Sequence, residues 1–199
     1  MIWTMKKITN DHYQQSHTGY TFFMEIRERI IETLRNTQRE NVETVIAYME
    51  NHHFFDRGCH RHHKYDGGLA DHAWQTYQLA KLFEEENKRL YPNAPLLDPD
   101  SLAICALLHD FCNCSGMHHI KGHGYRSAKM LNELGFHLSQ DEFLAIRFHM
   151  SLKDKKDHPL YDAACHCHLR YIVHKADGES AKRYKGADAE CFSLKSLVV

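Results

Sequence analysis

The sequence predicts an all-α fold, and two features of the chain indicate it. Apolar residues recur at intervals of three and four along most of the sequence, which is the spacing of one face of an α-helix. No segment shows the alternation of apolar and polar residues that is typical of a half-buried β-strand. A chain of 199 residues with 43% hydrophobic and 26% charged residues is also long and apolar enough to bury a substantial core. We therefore expect a helical bundle.

The predicted helices follow one another along the chain. Gly67 and Gly68 open the third of them, and Gly135 ends the fifth. Ser139 is expected to cap the sixth, because Glu142 follows at the third position of a capping-box pattern. Residues 111–122 are expected to form a loop. The expected helical segments are Phe22 to Leu34, Val42 to Met49, Leu69 to Phe83, Leu102 to Asp110, His123 to Leu134, Phe143 to His149 and Leu169 to Asp177.

Composition limits the compartment and the class of partner. The 7 cysteines form no disulfide-like framework, and the first residues lack the apolar stretch of a signal peptide. No stretch approaches the roughly 18 apolar residues of a membrane span. A net charge of −1 gives no basic excess that would favour a long nucleic acid. We expect a cytoplasmic protein without a membrane partner, and its oligomeric state stays open.

The most informative segment is the apolar run from Leu102 to Leu108, which ends in His109 and Asp110. A helix that is apolar on every face is buried, so this helix carries an imidazole and a carboxylate into the core. Burying a carboxylate costs about 3 kcal/mol or more unless a partner compensates its charge. The partner could be an Arg, a Lys or a metal ion. We favour a metal, because further histidines and an aspartate recur in apolar surroundings.

Polar residues at apolar helix positions define a candidate metal site. Imidazole and carboxylate groups are ligands that suit Mn, Fe, Ni, Zn or Mg. Neutral imidazoles with two carboxylates can hold one or two divalent ions while offsetting their charge. Because the chain contains 18 histidines, some metal-like spacings arise by chance, and the interpretation depends on the flanking residues. The candidates are His72, His109, Asp110, His123, His149 and Asp177.

Four flanked motifs, found in order, resemble the HD-domain superfamily of metal-dependent phosphohydrolases. The similarity is to bacterial hydrolases with a Gly-Gly-Leu-x-x-His, a central His-Asp pair, two intermediate histidines and a closing His-x-x-Asp. His62-His63, just upstream, resembles subfamilies related to a bacterial 3′-5′ exoribonuclease. The segments that carry the resemblance are Gly67–His72, Ala106–Asp110, Gly122-His123 with Ile146–His149, and Val173–Asp177.

The resemblance implies a domain organisation and a division of roles. It implies an HD domain over residues 55–185, N-terminal helices over residues 1–54 that pack on the core, and a tail over residues 186–199, all in one globular unit. The site would lie between helices. In the extended form of the site, Asp110 bridges two metals. One metal would be bound by His72, His109, Asp110 and Asp177, and the second by Asp110, His123 and His149.

One departure from the family concerns the contact with the substrate phosphate. The family often has a lysine shortly after its His-Asp pair, whereas this chain has Asn113, which carries no charge. Lys153 could compensate, because it lies four residues after His149 and would share its face on a continuing helix. Arg126, three residues after His123, could act by the same logic. Arg61, His62 and His63 could also reach the site from their loop.

The resemblance implies an ester-bond hydrolase. It would use one or two divalent ions (Fe, Mn, Ni, Zn or Mg) to activate water against the phosphate ester of a nucleotide or other small phosphorylated metabolite. Two alternatives stay open at this point. A few HD-fold proteins are di-iron oxygenases that use the same six-ligand order. The chain could also be a regulatory domain that binds metal or nucleotide but has lost turnover.

Overall fold

The protein is described by a computed structural model that covers residues 25–116, 122–150, 152 and 158–183. Within these ranges the chain is helical and contains no strand, which confirms the all-α prediction. The elements in chain order are α1 (residues 25–36), α2 (Val42–Asn51), α3 (Gly68–Leu90), α4 (Pro99–Leu108), a short 3-10 helix (Phe111–Ser115), α5 (His123–Glu133), α6 (Gln140–Arg147), α7 (Tyr161–His166) and α8 (His168–Arg183).

Helix α4 lies at the centre of the bundle. It packs against α3, α6 and α8, and every residue from Leu102 to Leu108 is buried, as its uniformly apolar sequence predicts. The helix begins after Asp98, whose side chain accepts a hydrogen bond of 2.9 Å from the backbone N–H of Ser101. It ends at Leu108, so the residues that follow enter the middle of the protein directly from the core helix.

The start of α3 is in close contact with the loop before it. Gly67 precedes the helix with a φ of 80°, a conformation that glycine adopts without strain. A Cβ at Gly68 would lie 2.0 Å from the carbonyl oxygen of His63, so only glycine permits this contact. The backbone N–H of Leu69 also donates to the carbonyl of Arg57 over 2.8 Å. These contacts hold the loop that carries His62 and His63 against the first turns of α3.

Helices α5 and α6 approach each other closely at Gly124. A Cβ there would lie 2.5 Å from the carbonyl oxygen of Ile146 and 2.6 Å from that of Arg147. Since both neighbours are backbone atoms, a larger residue would have to push the two helices apart. This contact sets the distance between the first residue of α5 and the end of α6.

The capping box predicted for α6 is confirmed. Ser139 accepts from the backbone N–H of Glu142, and the Glu142 carboxylate accepts from the backbone N–H of Ser139. The same buried carboxylate accepts two hydrogen bonds from Arg39, of 2.9 and 2.6 Å, and one of 2.8 Å from Ser101. The start of α6 is therefore tied to the start of α4 and to the connection between α1 and α2.

The segment after the His-Asp pair differs from the expected loop. Residues 111–115 form a 3-10 helix in which Phe111, Cys112 and Cys114 are buried. Burying these apolar side chains continues the packing of α4 beyond its last residue. In the described part of the chain, none of the helices has the length and apolar character needed to span a bilayer.

Candidate metal centre

The structure brings the six predicted ligands together at one place between the helices. They come from five places in the chain, and the end of α4 supplies the adjacent pair His109 and Asp110. His72 is the fifth residue of α3, His109 and Asp110 follow α4, His123 begins α5, His149 follows α6, and Asp177 lies in α8.

His72, His109 and Asp177 form a first cluster. The Nε2 atoms of His72 and His109 are 3.2 Å apart, and Asp177 Oδ1 lies 3.2 Å from the first and 3.8 Å from the second. Asp110 Oδ2 faces the same cluster, 3.9 Å from His109 Nε2. Both histidine side chains are completely buried.

His123 and His149 form a second cluster with the other oxygen of Asp110. Their Nε2 atoms are 2.8 Å apart, and Asp110 Oδ1 lies 3.4 Å from His123 Nε2 and 3.6 Å from His149 Nε2. Asp110 therefore presents one oxygen to each cluster. His149 is 1% exposed, whereas 27% of the His123 side chain is exposed.

Backbone carbonyls orient two of the central rings. His109 Nδ1 lies 2.9 Å from the carbonyl oxygen of Ala106, and His149 Nδ1 lies 2.7 Å from that of Ile146. Because a carbonyl only accepts, each Nδ1 carries the proton and each Nε2 keeps its lone pair. Metal-binding histidines are held by this kind of contact, so both rings present the nitrogen that a metal needs.

The turn that carries His149 is held by α8. Helix α6 ends at Arg147, so His149 lies beyond the helix, contrary to our expectation. Arg170 donates 2.9 Å to the carbonyl of Phe148 and 3.3 Å to that of Met150, while His174 Nδ1 bonds the carbonyl of His149 itself. Three successive carbonyls are thus bound by one helix, which fixes the position of the His149 ring.

Two residues, Lys153 and Arg126, are predicted to contact the substrate phosphate. Lys153 would share a face with His149 only on a helix that continues past His149. That continuation is wrong, because α6 ends at Arg147, and Lys153 itself lies outside the described residues. Arg126 lies in the first turn of α5, partly buried. Burial raises the pKa of the Cys112 thiol, and the charge of Arg126 opposes this increase. A contact of Arg126 with the substrate phosphate stays a prediction.

The protonation states of Asp177, Asp110 and His149 suit a metal. Burial on its own would raise the pKa of Asp177, but the neighbouring His72 and His109 lower it well below the usual range. The pKa of Asp110 is also lowered, because the surrounding imidazoles outweigh the opposite effect of burial. Burial, followed by the neighbouring His109, lowers the pKa of His149 to about 4. Metal binding needs ionised carboxylates and neutral imidazoles.

The residues fit one or two divalent ions. Asp110 Oδ1 is buried and makes no hydrogen bond, which is costly for a carboxylate oxygen unless an absent group binds it. Ligand atoms bound about 2.1 Å from a tetrahedral ion lie roughly 3.4 Å apart, close to the 3.2–3.8 Å and 2.8–3.6 Å separations of the two clusters. Each set combines imidazole nitrogen and carboxylate oxygen, the donors used for Mn, Fe, Ni, Zn and Mg.

Sequence reasoning missed the polar residues around His72. Ser180 Oγ lies 3.0 Å from His72 Nδ1 and also bonds Gln75. Gln75 and Ser180 each lie three residues after a predicted ligand, on the same helix face as His72 and Asp177. This spacing is a signal that the sequence contains. His62 and His63, which carried a weaker resemblance, also lie against His72, with ring centroids 4.5 and 5.1 Å away.

Comparison with known proteins agrees with this geometry. No curated protein and no solved structure gives a significant match to the chain. The family model described as "HD domain" matches residues 69–182, which is more than half of the chain and spans all six candidate ligands. The helical fold, the His-Asp pair after the central helix and this match lead to one conclusion: the chain belongs to the HD domain family.

Proposed function

We propose that the protein is a metal-dependent phosphohydrolase that acts on a phosphate ester of a nucleotide or another small phosphorylated metabolite. The observation that carries the proposal is the position of Asp110. Its two oxygens face two separate histidine clusters, and the buried Oδ1 has no hydrogen-bond partner. Two ions bridged by one carboxylate would satisfy both oxygens.

Two sets of residues would hold the ions. When bound, such an ion lowers the pKa of a coordinated water to about 7 and polarises the phosphoryl oxygen. Neutral imidazoles and ionised carboxylates are already the states favoured at pH 7 for His149, Asp110 and Asp177. The first set is His72, His109, Asp177 and Asp110 Oδ2; the second is His123, His149 and Asp110 Oδ1.

The chain's own contribution is orientation. The carbonyls of Ala106 and Ile146 keep the Nδ1 proton on His109 and His149, so neither ring has to turn during the reaction. Groups that are held in place before the reaction stabilise developing charge without the cost of reorganisation. Arg126, which lies in the first turn of α5 three residues after His123, is the cation that we assign to the substrate phosphate, while Lys153 stays a prediction from the sequence.

Access to the centre favours a small substrate. Among the six candidate ligands, His123 exposes the largest fraction of its side chain, 27%, compared with 13% for Asp177 and 12% for Asp110. A terminal phosphate group fits a centre that opens mainly beside one histidine. The near-neutral net charge of −1 is also unsuited to a long polyanion.

Phosphate release by the metal-loaded protein tests the proposal. The protein is stripped with a chelator, reloaded separately with Mn²⁺, Fe²⁺, Ni²⁺, Zn²⁺ or Mg²⁺, and assayed on p-nitrophenyl phosphate, bis-p-nitrophenyl phosphate and nucleotides, with and without oxygen. We expect metal-dependent hydrolysis that does not need oxygen and is lost in Asp110→Asn.

Two other results would replace the proposal. Oxygen consumption by the iron-loaded protein, with no hydrolysis under anaerobic conditions, would identify a di-iron oxygenase. Tight nucleotide binding without turnover for any metal would identify a regulatory domain. Elemental analysis of the purified protein, before chelation, gives the metal content in each case.

A further inference from the structure

A second group of histidines lies beside the candidate metal centre. One ring nitrogen from each of His62, His63 and His72 lies within 4.8 Å of the other two. The His62 ring is 4.5 Å from the His72 ring between centroids. His63 is completely buried, while His62 is partly exposed. Proximity alone does not decide what these rings do, but their hydrogen bonds decide where their protons are.

The donor and acceptor roles in these hydrogen bonds follow from Asp71, a buried carboxylate. The two oxygens of Asp71 only accept hydrogen bonds. One accepts a hydrogen bond from the hydroxyl of Tyr65, and the other accepts one of 2.9 Å from Gln75 Nε2. The amide nitrogen of Gln75 therefore faces Asp71, and its carbonyl oxygen faces the other way. Any group that bonds Gln75 Oε1 must be a donor.

His63 is the first of these donors. Its Nε2 lies 3.3 Å from Gln75 Oε1, so Nε2 carries the proton and Nδ1 keeps its lone pair. His62 Nδ1 lies 3.0 Å from His63 Nδ1, and therefore His62 donates through Nδ1. The remaining nitrogen of His62, Nε2, is left with a free lone pair.

Ser180 is the second donor, and the same logic applies to His72. Its hydroxyl donates to Gln75 Oε1 over 3.4 Å, so Ser180 Oγ accepts from His72 Nδ1 over 3.0 Å. His72 is thereby left with its lone pair on Nε2, the atom that faces His109 and Asp177. One glutamine thus sets the same tautomer in His72 and in His62.

The backbone conformation that places His62 beside His72 is strained. His63 has a φ of 46°, in the left-handed region that non-glycine residues rarely adopt. Its carbonyl oxygen occupies the space that a Cβ of Gly68 would need. Strained residues of this kind persist where the surrounding structure demands them, and they cluster at functional sites.

We propose that His62 is an additional ligand of the metal centre and binds through Nε2 next to the ion held by His72. The proposal rests on the metal centre of the proposed function. It adds a seventh ligand, from the loop before α3, to the six that the sequence motifs contain. In this arrangement His63 and Gln75 are positioning residues, because neither binds the metal. His63 acts through the His62 ring, and Gln75 acts through His62 and, by way of Ser180, through His72.

Cobalt(II) is the probe that tests this proposal, because its visible absorption reports the number and type of its ligands. The full chain is stripped of metal and titrated with Co²⁺, and affinity is measured by competition with a chelator. We expect His62→Ala to change the visible spectrum and to weaken Co²⁺ binding at one site by about tenfold or more. Gln75→Met, which keeps the side-chain volume, should weaken binding at that site by a smaller factor.

A variant that gains a spectroscopic band distinguishes metal binding by residue 62 from a general loss of structure. In His62→Cys, a thiolate at position 62 should bind Co²⁺ and add a sulfur-to-metal charge-transfer band in the near ultraviolet. His60→Cys, at an exposed position of the same loop, is the matched control and should add none. Thr76→Val is the control for a substitution in α3 next to Gln75. The Thr76 hydroxyl is buried and makes no hydrogen bond.

The outcomes are distinct for the two proposals. If the wild-type chain binds no Co²⁺ or any other divalent ion, the metal centre itself is wrong and His62 falls with it. If the wild type binds Co²⁺ but His62→Ala keeps its spectrum and affinity, and His62→Cys adds no band, only the role of His62 is overturned.

Discussion

The two halves of the candidate metal centre use similar donors but hold them differently. In the first half, His72 and His109 are completely buried. In the second, His123 is 27% exposed, and Asp110 Oδ1 makes no hydrogen bond. Two sets of similar ligand atoms can therefore be held with different rigidity by the surrounding structure.

The difference comes from the helices behind each half. The first half lies between α3, α4 and α8, which pack extensively against one another. The second depends on α5, because His123 is the first residue of that helix and follows Gly122, which has a φ of 86°. Helix ends move more easily than helix interiors. We therefore expect the first half to bind a metal tightly and the second to exchange its metal more readily.

Replacing the shared ligand should have the largest effect. Asp110→Asn removes the charge that both halves use and places an amide where two acceptor oxygens are needed. We expect loss of metal from both halves and a fall in metal-dependent hydrolysis of about 100-fold or more. Elemental analysis and phosphate release measure the two effects. Asp100→Asn, an exposed carboxylate at the opposite end of α4, should behave like the wild type.

Replacing a ligand of one half should separate the two halves. Asp177→Asn should weaken the tighter class of metal sites by about 10–100-fold, the loss that even supporting groups around a metal cause. His123→Gln should weaken only the more weakly bound class. Calorimetric titration of the metal-free protein resolves the classes. Equal losses from both classes in either variant would contradict the division into halves.

A substitution between α5 and α6 should weaken metal binding in the second half by changing how these two helices pack. In Gly124→Ala, the new Cβ meets the carbonyls of Ile146 and Arg147 at 2.5 and 2.6 Å, so α5 must move away from α6. We expect a loss of about 1–3 kcal/mol in the free energy of unfolding, with weaker metal binding confined to the second half. Urea denaturation measures the first effect.

Gly178→Ala is the matched control for that substitution. Nothing lies within 4 Å of a Cβ at Gly178, and the residue lies inside α8. Removing a glycine from a helix interior should stabilise the protein by up to about 1 kcal/mol. A loss of stability there as large as that of Gly124→Ala would show that the close approach of α5 and α6 is not the cause.

The smallest expected effect is the dependence of the stability of the metal-free protein on pH. The pKa of His149 is about 4 in the folded state, against about 6.5 in an unfolded chain. Between these values the unfolded chain binds more protons, so stability is lost as the pH falls from about 6.5 to about 4. The pKa of His62 is also lowered to about 4, mainly by burial, and acts in the same direction, whereas the raised pKa of His72 opposes it.

Unfolding curves of the metal-free protein between pH 7.5 and pH 4.5 measure this loss. His149→Gln should show a shallower dependence on pH in that window, because the substituted side chain does not titrate. His166→Gln, at an exposed histidine in α7, should leave the slope unchanged. A slope in His149→Gln that equals that of the wild type would rule out a contribution from His149.

The sequence by itself determined the features that depend on neighbouring residues. The helical periodicity, the burial of α4 and the capping box of Ser139 and Glu142 each involve residues within a few positions of one another, and all agree with the structure. The six candidate ligands could also be named, because each interrupts an apolar pattern or follows one directly.

Only the tertiary structure decided where α6 ends and how the ligands are divided. The turn after Arg147 is held by Arg170 and His174, more than 20 residues away, so no local pattern reveals that His149 lies outside the helix. The tautomer of His72 depends on Ser180, 108 residues later in the chain. Hydrogen bonds between distant segments form only once the helices pack, and for that reason the support of the ligands could not be predicted from the sequence.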